Sequence, residues 1–237
     1  MRENFPSLTQ RILIFGFWHC GTSILKSIIG HAEEVREVIN ETDRLEKHLS
    51  PYKFLLGKSP LTKEKFFKGE YKDYQRIFIL RNPVWVFSSL NRRFGGEENI
   101  PNDHSIELYE RAAKKFLYYK DNPEENLHTI LYEELFENNH KKIKEILDKI
   151  GINWHNQDIF NNKGFKNQIV TGLNGHIPKD EPSQLGKHGA FRQWQINQSF
   201  KNMNDKSKIE ITPKQREKMQ KSKAITTLYK EINNVRE

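Results

Sequence analysis

Eight residues near the start of the chain, Gly16-Phe17-Trp18-His19-Cys20-Gly21-Thr22-Ser23, carry the strongest chemical signal in the sequence. Glycines at the two ends of such a turn let backbone N–H groups face an anion, and a helix beginning there adds its positive end. The pattern is nearly G-x-x-x-x-G-K-[ST], the turn that cradles nucleoside triphosphates. Thr22 stands where that pattern has lysine, so a triphosphate would lose the ammonium that reaches its terminal phosphates. This counts against ATP or GTP hydrolysis. A second segment, Arg81-Asn82-Pro83 continuing to Ser89, brings a guanidinium and a hydroxyl two helical turns apart. Such a pair can converge on one phosphate. Each segment also has a plain reading, an ordinary glycine-bearing turn and a solvent-facing arginine.

The surrounding pattern supplies the elements to position them. Residues 11–15 form an apolar run that reads as a buried strand, 16–23 as a turn and 24–29 as a helix. Residues 53–56 suggest a short strand before Lys58-Ser59-Pro60, and 75–80 a strong one running into Arg81. Pro83 suits the first turn of a helix that continues to about Phe94. Ile106, Tyr109, Ala113 and Phe116 give residues 105–120 helical spacing, 127–131 read as a strand, and 132–150 as helix with a break near Asn138. Residues 161–188, rich in Gly, Asn, Pro and Lys, are either a lid over a ligand or disordered. Residues 212–233 read as helix with Pro213 at its start. No repeat or linker interrupts the pattern, so residues 1–237 are expected to form a single domain. The alternation predicts an α/β fold of three α/β/α layers, with a mainly parallel central sheet of about five strands covered on both faces.

Bulk properties narrow the ligand class. The chain has 237 residues, 35% hydrophobic, 30% charged and 11% aromatic, with a formal net charge of +8. That balance favours anionic ligands without choosing among nucleotides, acidic sugars, nucleic acid and membrane surfaces. The single cysteine, Cys20, excludes an internal disulfide. No apolar run approaches the ~20 residues of a membrane span, and residues 1–10 lack a signal core. A cytoplasmic protein without a membrane span is therefore expected. Basic clusters at Lys141-Lys142-Lys144 and from Lys214 to Lys223 would suit a nucleic-acid binder, but acids interleave with them as on solvated helix faces.

Gly21-Thr22-Ser23 after the first strand, and Arg81-Asn82-Pro83 with Ser89, resemble in order the two signatures of sulfotransferases that use 3′-phosphoadenosine-5′-phosphosulfate (PAPS). Lys58-Ser59-Pro60 is similar to the family's K-[TS]-P turn, and Leu131-Tyr132-Glu133-Glu134-Leu135 to its Y-E-[DE]-L segment. Lys187-His188-Gly189 resembles an R-K-G that closes over the 3′-phosphate, with different residues at its first two positions. The resemblance spans roughly residues 11–195. It implies a fold like that of P-loop nucleoside-triphosphate hydrolases and PAPS as donor, with 3′-phosphoadenosine-5′-phosphate (PAP) as product. It further implies a small-molecule or glycan acceptor, no metal and no nucleic acid. The oligomeric state stays open.

The resemblance also assigns expected roles. Trp18, His19, Cys20, Gly21, Thr22 and Ser23 would surround the 5′-phosphosulfate. Arg81 and Ser89, with Lys187, His188 and Gly189, would hold the 3′-phosphate. Tyr132 and Trp18 would lie toward the adenine unless they are packing aromatics. Many family members have lysine or arginine where this chain has His19, which would leave Lys58 as the main permanent cation near the transferring group. Glu41, about twenty residues beyond Gly21, matches the general base of the polysaccharide branch; His104 matches the histidine of the cytosolic branch, and His19 is a third candidate. The competing readings are a small kinase or other phosphotransferase on the same scaffold and the basic nucleic-acid binder.

Overall fold

The computed structural model describes residues 7–38, 41–46, 49–94, 103–155, 159–160, 179–180, 182, 188–196, 202 and 204–234. The chain opens with β1 (Ser7–Leu8) and β2 (Gln10–Gly16), followed by helix α1 (Thr22–Gly30) and β3 (Val35–Glu37). Next come β4 (Leu49–Ser50), β5 (Phe54–Ser59), β6 (Gln75–Leu80) and α2 (Pro83–Phe94). Helix α3 (Asp103–Asp121), β7 (Leu127–Leu131) and α4 (Lys141–Ile150) follow. The described C-terminal part contains α5 (His188–Ile196), α6 (Pro213–Lys221) and α7 (Lys223–Asn234).

Five strands form one sheet in the order β3-β5-β2-β6-β7, every neighbouring pair parallel. A separate two-stranded antiparallel pair joins β1 to β4. The central strands are apolar without alternation because both faces of the sheet are covered, as parallel sheets require. Ile12, Ile14, Ile77, Ile79 and Ile130 point to one side and pack with Leu25 and Ile28 of α1 and Ile143 and Leu147 of α4. Leu13, Phe15, Phe78 and Leu80 point to the other, against Phe87 of α2, Phe116 of α3 and Leu228 of α7. The result is the three-layer α/β/α arrangement expected from the alternation of elements. Among the described residues no helix is long and apolar enough to cross a membrane.

Three local expectations change. The strand expected at 53–56 runs through Ser59, so Lys58 and Ser59 end a strand instead of lying in the turn after it. In the segment 132–150 the expected break near Asn138 is present, with Asn138, Asn139 and His140 all at positive φ, but the part before it holds only a 3₁₀ turn, Glu133–Leu135, and the α-helix begins at Lys141. The C-terminal helix is two helices broken at Ser222, whose φ of −83° and ψ of 115° are extended. The Ser222 hydroxyl then accepts from the N–H of Ile225 and starts α7. The stretch 161–188 lies outside the described residues except for 179–180, 182 and 188.

Two buried polar side chains tie β6 and β7 to their surroundings. Arg76 donates to the Phe66 carbonyl at 2.9 Å and to Glu124 at 2.8 Å. His128 meets the Gln75 side-chain oxygen at 3.2 Å. Burial, reinforced by the positive charges of Lys149, Arg76 and Lys142, pushes the His128 imidazole down to about 4. The unfolded chain therefore takes up a proton near pH 6.5 that the folded chain refuses. Stability is full above that pH and falls as the pH drops toward 4, by about 3 kcal/mol for this group alone. In His128→Gln, urea unfolding at pH 7 and pH 4 should differ by about that much less than in the parent.

Candidate anion-binding site

Parallel register brings the turn after β2, Lys58, Arg81 and Tyr132 to one edge of the sheet. Gly16, the last residue of β2, pairs with Ile79 of β6, which places Arg81 beside the turn that follows β2. Leu80 pairs with Leu131, which sets Tyr132 and Glu133 next to Arg81 on the far side. Phe15 pairs with Ser59, so Lys58 ends the strand on the other flank, and Glu37 pairs with Leu56 one strand further out. The carboxyl edge of a parallel sheet is where open α/β folds bind ligands, at strands whose connections diverge. Here α1 leads from β2 outward to β3, while β6 lies on the opposite side of β2.

The turn itself is tightly determined. Gly21 sits immediately before α1 with φ 94° and ψ 15°, left-handed values that favour glycine, and as N-cap it brings no capping side chain of its own. A Cβ on Gly21 would collide with the Tyr132 ring, and one on Gly16 with the Ile79 carbonyl oxygen across the strand gap. His19 also has positive φ, 59°. The first N–H groups of α1 have no intrahelical acceptor. N–H groups at such a helix start are placed to receive an anion. Thr22 is buried and Ser23 half-buried at its lip. Cys20 is fully buried, and burial pushes its thiol up to about 12, so it is a small filler and no thiolate nucleophile.

Arg81 reaches the turn directly. Its Nη1 donates to the His19 carbonyl at 3.2 Å, and its guanidinium lies over the Tyr132 ring at 4.3 Å. The Tyr109 hydroxyl donates to the Arg81 carbonyl at 2.5 Å. Ser89, two turns into α2, contacts the same loop residue, its Oγ lying 2.6 Å from His19 Nδ1. Arg93, one further turn along, faces His19 Nε2 at 3.3 Å. An arginine can only donate, so Nε2 accepts and Nδ1 carries the proton donated to Ser89. Arg81 and Ser89 thus meet at His19.

On the other flank, Lys58 is only 5% exposed and its Nζ lies 2.6 Å from Glu41 Oε1. Glu41 follows β3 by four positions, that strand ending at Glu37. The remaining sequence candidates are placed as follows. Trp18 is half-buried against Phe17, ring centroids 5.1 Å apart, and Tyr132 is buried between Gly21 and Arg81. His104 is exposed on the first turn of α3. His188 and Gly189 begin α5, and Lys187 lies outside the described residues.

No protein-family model and no curated protein sequence matches the chain. Solved structures do. The mouse sulfotransferase SULT7A1 complexed with PAP is similar with a TM-score of 0.57 at 16% identity, over 97% of this chain and 91% of that chain. The sulfotransferase domain from the curacin biosynthetic pathway gives a TM-score of 0.54 at 13% identity, over 93% of this chain and 98% of that chain. The fold is that of the sulfotransferases. Within this sulfotransferase fold, sequence reasoning missed two residues at the site. Arg93 was readable in principle, because it lies four positions after Ser89 and so shares its helix face. Asn204, which accepts from Arg81 Nε and Nη2 at 2.8 and 2.5 Å, had no local signal at all.

The shape of the turn can be checked through its glycines. Gly21→Ala places a methyl on the Tyr132 ring in a left-handed conformation and should lose about 1–3 kcal/mol in urea unfolding. Gly69→Ala is the control. Gly69 has φ of 60° but nothing within 4 Å of its would-be Cβ, so its loss should be smaller. Equal losses would mean that Tyr132 does not determine the turn.

Proposed function

We propose that the chain is a PAPS-dependent sulfotransferase that passes the sulfuryl group to a hydroxyl or amine of a small-molecule or glycan acceptor. One observation carries the reading. Arg81 and Ser89 converge on His19, inside a glycine turn whose lysine position is taken by the buried Thr22. A nucleotide with separate anionic groups at its two ends suits that layout better than a triphosphate does. The N-terminus of α1, where Gly21 has no capping side chain of its own and no room for a Cβ, suits a phosphosulfate. PAPS would supply the activated sulfuryl group.

The chain's own residues have the following parts in this reading. Backbone N–H groups of residues 21–23, with the Thr22 and Ser23 hydroxyls, hold the 5′ end; the Cys20 N–H, expected to join them, instead donates to the Phe17 carbonyl at 3.2 Å. Arg81 and Ser89 hold the 3′-phosphate. Lys58 stabilises the charge that gathers on the departing oxygen, and positioned cations of this kind supply much of the catalysis in group transfer. Glu41 takes the acceptor's proton. Its ion pair with Lys58 sets proton acceptor and charge stabiliser side by side at the same sheet edge. His19 is less suited to that role, because Ser89 and Arg93 engage both of its ring nitrogens. His104 is the remaining alternative.

Two measurements test the proposal. PAP should raise the thermal stability of the protein more than ATP with magnesium does, by about 2.7 kcal/mol at a hundredfold excess over its dissociation constant. The reverse order would favour a phosphotransferase. Glu41→Gln keeps an oxygen for Lys58 yet removes the base. Turnover with PAPS should fall at least ~100-fold while PAP affinity changes little. Near-normal turnover would transfer the role to His104.

A further inference from the structure

Asn204 is set 123 positions from Arg81 in sequence, yet its side chain covers one whole edge of the guanidinium. Its Oδ1 accepts from both Nε and Nη2, while its Nδ2 donates to Glu133 Oε1 at 2.9 Å. Only one orientation of the amide serves both neighbours, since arginine offers donors alone. Glu133 is 0% exposed and also accepts from the Asn82 N–H at 3.2 Å. Its other oxygen, Oε2, has no hydrogen-bond partner among the described residues. A direct Arg81–Glu133 pair would turn the guanidinium toward the buried carboxylate and cancel its charge. The interposed amide bonds to both groups and leaves the guanidinium facing the loop, with Nη1 on the His19 carbonyl.

The segment carrying Asn204 is fastened nearby. The Glu210 N–H donates to the Ser88 hydroxyl at 3.1 Å, and the Asn91 amide donates to the Glu210 carbonyl at 2.5 Å. The Asn91 and Gln215 side chains exchange a reciprocal pair of hydrogen bonds at 2.9 and 3.1 Å. Asn204 is therefore delivered to Arg81 by an anchored strap.

We infer that Asn204 is a positioning residue of the nucleotide site, clamping the Nε–Nη2 edge of Arg81 so that the guanidinium presents its remaining Nη N–H groups to the 3′-phosphate beside Ser89. The inference rests on the PAPS reading of the same site. It gives the C-terminal segment a part in selecting 3′-phosphorylated nucleotides, through a residue that none of the recognition motifs contains.

The test measures dissociation constants of PAP and of adenosine 5′-monophosphate, which lacks the 3′-phosphate, by calorimetry on the full chain. Asn204→Ala should weaken PAP about tenfold and leave adenosine 5′-monophosphate within about twofold. In an Arg81→Lys background, which has no side edge to clamp, the same substitution should change PAP affinity less than about twofold. Equal weakening of both nucleotides would mean that Asn204 serves stability alone, and tighter PAP binding that it competes with the phosphate; either overturns the inference. If the folded parent shows no preference for PAP over adenosine 5′-monophosphate, the PAPS reading itself fails and the clamp falls with it.

Discussion

The contact between β2 and β6 at Gly16 is the constraint on which the site depends. The Ile79 carbonyl occupies the space a side chain would need at Gly16. The two backbones can pair there only because that residue has none. This pairing sets the register, and register decides which residues emerge together at the sheet's carboxyl edge. A slip by one residue would turn Arg81 to the opposite face of the sheet, away from the loop. The aromatic wall under Gly21 is a second fit of the same kind, since the Tyr132 ring both closes the turn and lies beneath Arg81.

Placing charge in such a location is costly, and the way the protein offsets the cost shapes the site. Arg81 is 9% exposed and Glu133 fully buried, so neither can rely on water. Burial drives the Glu133 carboxyl upward, and the nearby Arg81 charge opposes the shift. Breaking a buried pair of this sort by removing one partner is far worse than never having built it. The ring beneath Arg81, the His19 carbonyl and the Asn204 amide each take part of the burden without adding a negative charge at the guanidinium. The guanidinium is therefore bonded on its Nε–Nη2 edge by a neutral amide, with the Glu133 carboxylate held one group away.

Much of this was visible in the amino-acid order. Strands β2, β6 and β7 are mostly apolar, and their bounds follow closely from sequence because a strand buried on both faces admits a polar side chain such as Arg76 or His128 only where it finds a partner. Arg81 and Ser89 were readable because a strand end delivers the first and the helix opened by Pro83 carries the second at a fixed interval. The Lys58–Glu41 pair was legible only as two separate candidates, since strand register joins them and register is not a local property. Asn204 was invisible for the same reason, being brought to Arg81 by a fold that must first close around it. The interruption at Asn138 to His140 was partly visible, because asparagine tolerates positive φ better than most residues. The break at Ser222 was missed because lysines and apolar residues on either side keep a helical rhythm that the capping hydroxyl overrides.

Helix α2 serves two clients. Ser89 and Arg93 on one side reach the loop near the start of the chain, while Ser88 and Asn91 on another grip the segment near its end. A helix of twelve residues is too stiff to shift one set of contacts and spare the other. It works as a yoke between two stretches of chain that otherwise lie far apart in sequence. A disturbance arriving at either stretch would be transmitted as a small rigid displacement and felt at the opposite one.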